Sequence, residues 1–275
     1  MIAAGRTRVA AMLAIGAATG LASGLLGVGG GFVMVPSMVS WLKARQHEAH
    51  GTSLAVIIPV AVVGTIILGK GHDVDPGTAL LLAVGAVLGA VAGARLTRRI
   101  SAARLRQAFG LVATVVGAIM VGDAIVHAIG TGLHHGTALR PTGVALVVIG
   151  LAIGLVAGLG SGLLGIGGGA IMVPAMVLLL GLSQHVAQGT SLAVIIPTAI
   201  AGSVTHRRMG NLRFVTAAWM SLGGIVGAVA GALIALAAPD ELLRILFGAY
   251  LAFTGVRMLR PQAAAPPARP TMADQ

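Results

Sequence analysis

Cysteine is absent from the 275 residues, which excludes disulfides, zinc–thiolate sites and thiol nucleophiles. Charge is nearly as scarce: Asp, Glu, Lys and Arg make up 9% of the chain, against about 25% in an ordinary soluble domain. That excludes a soluble enzyme. Aromatic residues contribute only 3%, so no surface of rings interleaved with basic groups is available for nucleic acid, despite a net charge of +11. What the chain has in quantity is apolar surface, 57% of residues, and 42 glycines. At about 20 residues per span this length accommodates ten helical segments, and small residues let such helices approach through their backbones. The expected fold class is an all-α polytopic membrane protein whose first partner is the lipid bilayer. No cofactor, metal or nucleic-acid partner is expected.

The chain repeats itself at an offset of 138 residues. Residues 23–36 read SGLLGVGGGFVMVP and residues 161–174 read SGLLGIGGGAIMVP, identical at 11 of 14 positions. GTSLAVIIP occurs at 51–59 and, unchanged, at 189–197. Weaker echoes pair Gly85 with Gly223, Gly89 with Gly227, Gly93 with Gly231 and Gly117 with Gly255. Arg6 and Arg8 ahead of an apolar run imitate a secretory signal, but the same run recurs internally, so it is expected to be a retained helix. The organisation read from this is a membrane repeat over 1–122, a linker loop over 123–141, a second membrane repeat over 142–260 and a polar tail over 261–275. Each repeat holds about five hydrophobic helical segments, the first two separated by a glycine break that makes them a broken hairpin.

Charge placement predicts how the repeats face. With five crossings each and the N-terminus inside, 15 Lys and Arg are cytoplasmic, and only Lys70, Arg140 and Arg244 lie outside. With four crossings the division is 8 against 10, which is no bias. The positive-inside rule therefore selects inverted repeats with both termini cytoplasmic. The short runs after the breaks are compatible with two full spans or with a hairpin that enters and returns, because both give the same parity.

Chemistry concentrates at the breaks. Gly27, Gly29, Gly30 and Gly31, and again Gly165, Gly167, Gly168 and Gly169, cost about 1 kcal/mol each in a helix interior, so each cluster ends one helix and starts another. A helix start in a membrane leaves N–H groups that need protein, water or a ligand, and its partial positive charge suits an anion. The plainer alternative is that the glycines only permit close packing. The expected substrate-binding set is Gly29, Gly30, Gly31, Thr52 and Ser53 with Gly167, Gly168, Gly169, Thr190 and Ser191. Pro36 and Pro174 are expected to hold the breaks open, with Pro59 and Pro197 ending the GTSLAVII stretches as support. The hydroxyls, Ser23 and Ser161 included, have back-bonding to a carbonyl one turn earlier as their ordinary alternative. No buried carboxylate relay is visible, and His127 and His206 sit near run ends, where they read as interfacial. His134 and His135 are adjacent in the linker without further ligands, which is weak for a metal. An intramembrane hydrolase built on Ser161 lacks a histidine at an interpretable spacing, so no enzyme is expected.

GLxSGLLGxGGGxxMVP followed by GTSLAVIIP, in both halves of the chain, resembles the TauE/SafE family of bacterial sulfite and organosulfonate exporters. The resemblance implies a secondary transporter of the bacterial inner membrane that moves small sulfur-containing oxyanions by alternating access between two repeats. An anion channel or a non-transporting receptor is the alternative. The oligomeric state stays open, a homodimer among the options.

Overall fold

The structure is a computed structural model that describes residues 2–96, 102–128 and 141–259. In chain order the helices are α1 Ile2–Leu26, α2 Gly31–Ser40, α3 Gln46–Lys70, α4 Pro76–Leu96, α5 Ala102–Ala128, α6 Gly143–Leu164, α7 Gly169–Leu180, α8 Gln184–Arg208, α9 Phe214–Ala237 and α10 Asp240–Leu259. No strand occurs among the described residues. Eight of the ten are long and apolar enough to cross a membrane. Their outward faces carry Leu80, Leu88, Val144, Val226 and Phe253, all exposed, a surface suited to lipid and costly in water. The chain is a multi-pass membrane protein.

Glycine decides which helices pair. Gly16, Gly20 and Gly24 of α1 lie on the backbone of Met220, Gly224 and Ala228 of α9, so closely that a methyl group at any of them would overlap a carbonyl oxygen. Gly223, Gly227 and Gly231 of α9 return the contact onto Leu13, Ala17 and Leu21. Numbers rise together along both helices, so α1 and α9 run parallel. The same zipper joins α4 and α6: Gly85, Gly89 and Gly93 lie on Leu151, Leu155 and Leu159, and Gly154, Gly158 and Gly162 on Leu82, Ala86 and Ala90. Each contact in one zipper is the other displaced by the sequence offset of 138. Two pairs of equivalent helices also meet each other. In the antiparallel pair α5 and α10, Gly110 meets Gly255 and Gly117 meets Gly248. At the centre α3 and α8 are also antiparallel, with Asp73 beyond the end of α3 against Gly189 and Asn211 beyond the end of α8 against Gly51. The halves are therefore interlocked, each contributing one helix to each zipper.

The short helices do not cross. At 1.5 Å per residue α2 and α7 are about 15 and 18 Å long. Met34 and Met38 of α2 are fully buried with Met12 and Ile15 of α1 and Val56 and Val60 of α3. So α2 doubles back beside the helix it follows, and the hairpin reading is the one the chain adopts. Helix α5 continues to Ala128, past Asp123 where the linker loop was expected to begin, and α3 and α8 continue through Pro59 and Pro197. A proline removes one hydrogen bond, and the packed neighbours hold the rest of the helix. Linker residues 129–140, with His134, His135 and Arg140, and the tail from 260 lie outside the described residues, as does the side chain of His127.

Following the helix directions, Arg8, Lys43, Arg45, Arg95, Arg207, Arg208, Arg213 and Arg257 all fall at one end of the bundle, with Glu48 among them. Lys70 and Arg244 fall at the other, beside Asp73, Asp75, Asp123, Asp240 and Glu241.

Candidate functional site

Both glycine breaks form for a conformational reason. The cap residue of α2 is Gly30 at φ 72° and that of α7 is Gly168 at φ 81°, the left-handed region that side chains with a Cβ avoid. Neither cap supplies a side-chain acceptor. The Gly30 carbonyl takes the N–H groups of Val33 and Met34, and the Gly168 carbonyl takes those of Ile171 and Met172. That leaves the N–H groups of Gly31 and Phe32, and of Gly169 and Ala170, without an acceptor among the described residues. These are the orphan donors that every helix start creates.

The two breaks meet each other. A side chain at Gly29 would begin 3.5 Å from Cα of Gly167, with Ile57 of α3 and Ile195 of α8 each at 3.4 Å on its flanks. Gly31 rests on the carbonyl of Gly165, and Gly169 on that of Gly27. Two half-helix N-termini from opposite repeats therefore abut at mid-bundle, where their dipoles add. Ser53 Oγ donates to the Gly165 carbonyl at 2.7 Å, sharing its proton with the His50 carbonyl at 2.8 Å. Ser191 Oγ donates to the Gly27 carbonyl at 2.9 Å. Each serine thus ties its own repeat to the break of the other, and the carbonyls at the break entrances are taken.

Thr52 and Thr190, expected at the breaks, are placed elsewhere. Thr52 Oγ1 accepts the N–H of Arg213 at 3.1 Å, and Thr190 Oγ1 accepts that of Asp75 at 2.9 Å. They pin the loop ahead of the other repeat's zipper helix. Ser53, Ser191 and the glycines do converge. Pro36 and Pro174 lie inside α2 and α7, where a proline leaves the carbonyl four residues earlier unbonded by its ring nitrogen: that of Phe32 and that of Ala170. Back-bonding, the ordinary alternative for membrane hydroxyls, is realised by Ser37 on Val33 and Thr198 on Val194, both at 2.7 Å.

Further buried polar groups lie along α3 and α8 and in the helices that lead into the breaks. Gln184 and Gln188 of α8 are fully buried with neither amide atom partnered, and Ser23 and Ser161 hydroxyls are also without partners. His206, expected at an interface, is fully enclosed by protein, and its Nε2 bonds the Gly162 carbonyl at 3.2 Å. His50 is 4% exposed. The signal that could have found them is register: His50 is the 138-residue mate of Gln188, one turn ahead of the serine that holds the opposite break. Because His206 engages a carbonyl and Ser161 has no partner, no nucleophile–base pair forms there.

At the acidic end Asp240 accepts from the backbone N–H groups of Gln184 and His185, both at 3.1 Å, and pairs with the His185 ring at 2.9 Å. Arg244 pairs with Asp123 at 3.0 Å. Asp73, in the loop after α3, has its carboxyl pushed above the usual value by burial, with Asp240 adding repulsion and His185 opposing it.

The family model described as "Sulfite exporter TauE/SafE" matches residues 2–120 and 150–274. Among curated proteins, "Probable membrane transporter protein YunE" of Bacillus subtilis is 29% identical over 89% of this chain and 97% of its own length. A "Probable membrane transporter protein" of Xylella fastidiosa is 31% identical over 85% of this chain and 88% of its own. A second Bacillus subtilis relative, "Probable membrane transporter protein YdhB", is 23% identical over 87% of this chain. No solved structure matches the chain.

Proposed function

The chain belongs to the TauE/SafE family of membrane transporters, and from that premise we propose that its cargo is a small sulfur oxyanion, sulfite or an organosulfonate, carried by alternating access. The observation that carries this reading is the pair of opposed, uncapped half-helix N-termini at mid-bundle. Their unpaired N–H groups are donors at the contact between the breaks, while the break carbonyls of Gly27 and Gly165 are already engaged by serines. Donors without a fixed acid suit an anion and not a metal cation. In this reading Gly29 to Gly31 and Gly167 to Gly169 present backbone N–H groups, and Ser53 and Ser191 exchange their carbonyl bonds for oxyanion bonds when the breaks part. Thr52 and Thr190 act on the loops instead.

The repeats are read as inverted, which the antiparallel arrangement of equivalent helices supports. The start of α1 and the end of α10 lie at the basic end, which the positive-inside rule makes cytoplasmic, and in this reading the membrane is the bacterial inner membrane. The test is counterflow of labelled sulfite in proteoliposomes, with sulfate, sulfoacetate, taurine and chloride as competitors. Saturable exchange blocked by a sulfur oxyanion is expected. Flux that ignores substrate on the far side identifies a channel, and no flux for any member of the panel overturns the cargo assignment. Gly168→Leu, which forces a side chain onto a φ of 81° and towards the Ala157 carbonyl oxygen at 2.9 Å, is expected to abolish exchange while the protein still inserts.

A further inference from the structure

Beyond their charge, the two ends of the bundle differ in a pair of buried side chains. Where repeat 2 has Gln188 and repeat 1 has Leu68, their 138-residue mates are His50 and His206. Both histidines are buried, 4% and 0% exposed, and both leave Nδ1 without a partner. They are neighbours: the His206 Cβ lies 2.9 Å from where a Cβ on Gly51 would sit. Both address the last turn of α6. His206 Nε2 bonds the Gly162 carbonyl at 3.2 Å, and the Leu163 carbonyl faces the His50 ring. The unpartnered hydroxyl of Ser161 belongs to the same turn. A helix C-terminus carries partial negative charge and offers carbonyls, which offset part of the cost of charging a buried ring.

We propose that His50 and His206 form a proton-binding site that couples anion movement to proton movement; this rests on the transport reading above. A proton taken up at a free Nδ1 converts one neutral ring to imidazolium, whose existing Nε2–H then donates more strongly to the α6 carbonyl. The site is mechanically close to the second break, because α6 is capped by Gly165, whose N–H donates to the Ser161 carbonyl at 2.8 Å and whose own carbonyl is held by Ser53, one turn beyond His50. The other groups around it are few. His47 lies on α3 with its ring centroid 6.4 Å from that of His50, and Glu48 is occupied by Arg45 at 2.8 Å and Arg213 at 3.7 Å. Arg207 of α8 stacks over Phe214, and Arg208 and the α4 residue Arg95 are exposed at the same end. No carboxylate competes for the proton. Repeat 2 offers only an amide and repeat 1 an alkyl group at the mated positions, so the pair occurs at the basic end of the bundle alone.

The experiment uses proteoliposomes with the membrane potential clamped and an alkanesulfonate as cargo, since a sulfonate keeps one charge state between about pH 5 and 8 where histidine titrates. Counterflow without a pH gradient reads transport, and accumulation under an imposed gradient reads coupling. One proton per anion gives about tenfold accumulation per pH unit. His50→Gln and His206→Leu, which copy the mated residues, are expected to keep counterflow and lose accumulation. Independently, 15N-histidine spectra of the unaltered protein in nanodiscs should show one buried ring changing protonation in that pH range, assigned by the same substitutions. Absence of counterflow for the whole sulfur-anion panel overturns the transport reading and this inference with it. Counterflow that ignores the gradient, accumulation that survives both substitutions, or spectra in which neither ring titrates overturns this inference alone.

Discussion

Gly31→Ala and Gly169→Ala probe the contact between the breaks with the smallest perturbation available, one methyl group each. Neither residue has a positive φ, so backbone strain does not enter and packing alone decides the outcome. A Cβ at residue 31 would lie 2.5 Å from Cα of Ile166 and against the Gly165 carbonyl oxygen; one at residue 169 would lie 2.7 Å from Cα of Val28 and 2.9 Å from Ser191 Oγ. The obstacle is mostly backbone, which cannot swing aside as a side-chain tip can. The breaks must separate by roughly 1 Å to restore ordinary contact, and overpacking of this kind costs about 1–3 kcal/mol. The same displacement misplaces the N–H donors, and an error of about 1 Å in a binding constellation costs on the order of 100-fold in rate. Each variant is expected to unfold several degrees lower in detergent and to lose most sulfite counterflow. Gly122→Ala is the control, because nothing lies within 4 Å of its Cβ position and alanine is the better helix former. Normal counterflow and unchanged thermal stability in Gly31→Ala would refute the reasoning, since the breaks would then not be in contact.

Ser53→Ala and Ser191→Ala each strand a buried carbonyl, Gly165 or Gly27, at a cost of about 1–3 kcal/mol; similar drops in thermal unfolding temperature are expected, and no drop in either removes the cross-repeat tie. Asp73→Asn removes a carboxyl whose ionised form burial disfavours, a cost present at neutral pH and lost as pH falls through the raised value towards the ordinary 3.8. The variant should therefore be the more stable at neutral pH, with the difference shrinking in acid; a difference constant with pH in thermal unfolding refutes the assignment. Because the chain has no cysteine, Lys70→Cys and Arg208→Cys can be labelled without background. An impermeant maleimide applied to intact cells should reach position 70 and not 208, and the reverse pattern would invert the orientation.

Much of the architecture is legible from the duplication, because any contact near the axis must occur twice. The offset of 138 relates Ser53 to Ser191 and Thr52 to Thr190, and the structure gives each pair equivalent partners. The partners themselves were not legible. Spacing shows that Gly85, Gly89 and Gly93 form one small-residue face, but nothing in it says that the face meets α6. Threonine and serine adjacent in GTS point about 100° apart on a helix, so only one of them can address the break; motif reading placed both there. Pro59 and Pro197 lie inside α3 and α8, as the apolar runs through them suggest, and packed neighbours hold the helix on either side of each. His206 looked interfacial because its run ends there, whereas burial at that position depends on α3 and α6, which are remote in sequence.

The zippers also constrain how such a bundle can move. Two repeats rocking as separate bodies would pull α1 from α9 and α4 from α6, the contacts in which backbone lies on backbone and no side chain can give. The stiff units are therefore mixed, one helix from each repeat. Break 1 leads out of α1 and belongs to the α1–α9 unit; break 2 leads out of α6 and belongs to the α4–α6 unit. Sliding one unit past the other keeps both zippers intact and moves one break along the other. The bonds it must exchange are those of Ser53 to Gly165 and Ser191 to Gly27, which join central helices to the breaks and are single hydrogen bonds worth about 1 kcal/mol net. A packed glycine zipper is stiff enough to survive such a displacement, and a lone hydroxyl–carbonyl bond is weak enough to be exchanged for a bond to the proposed cargo.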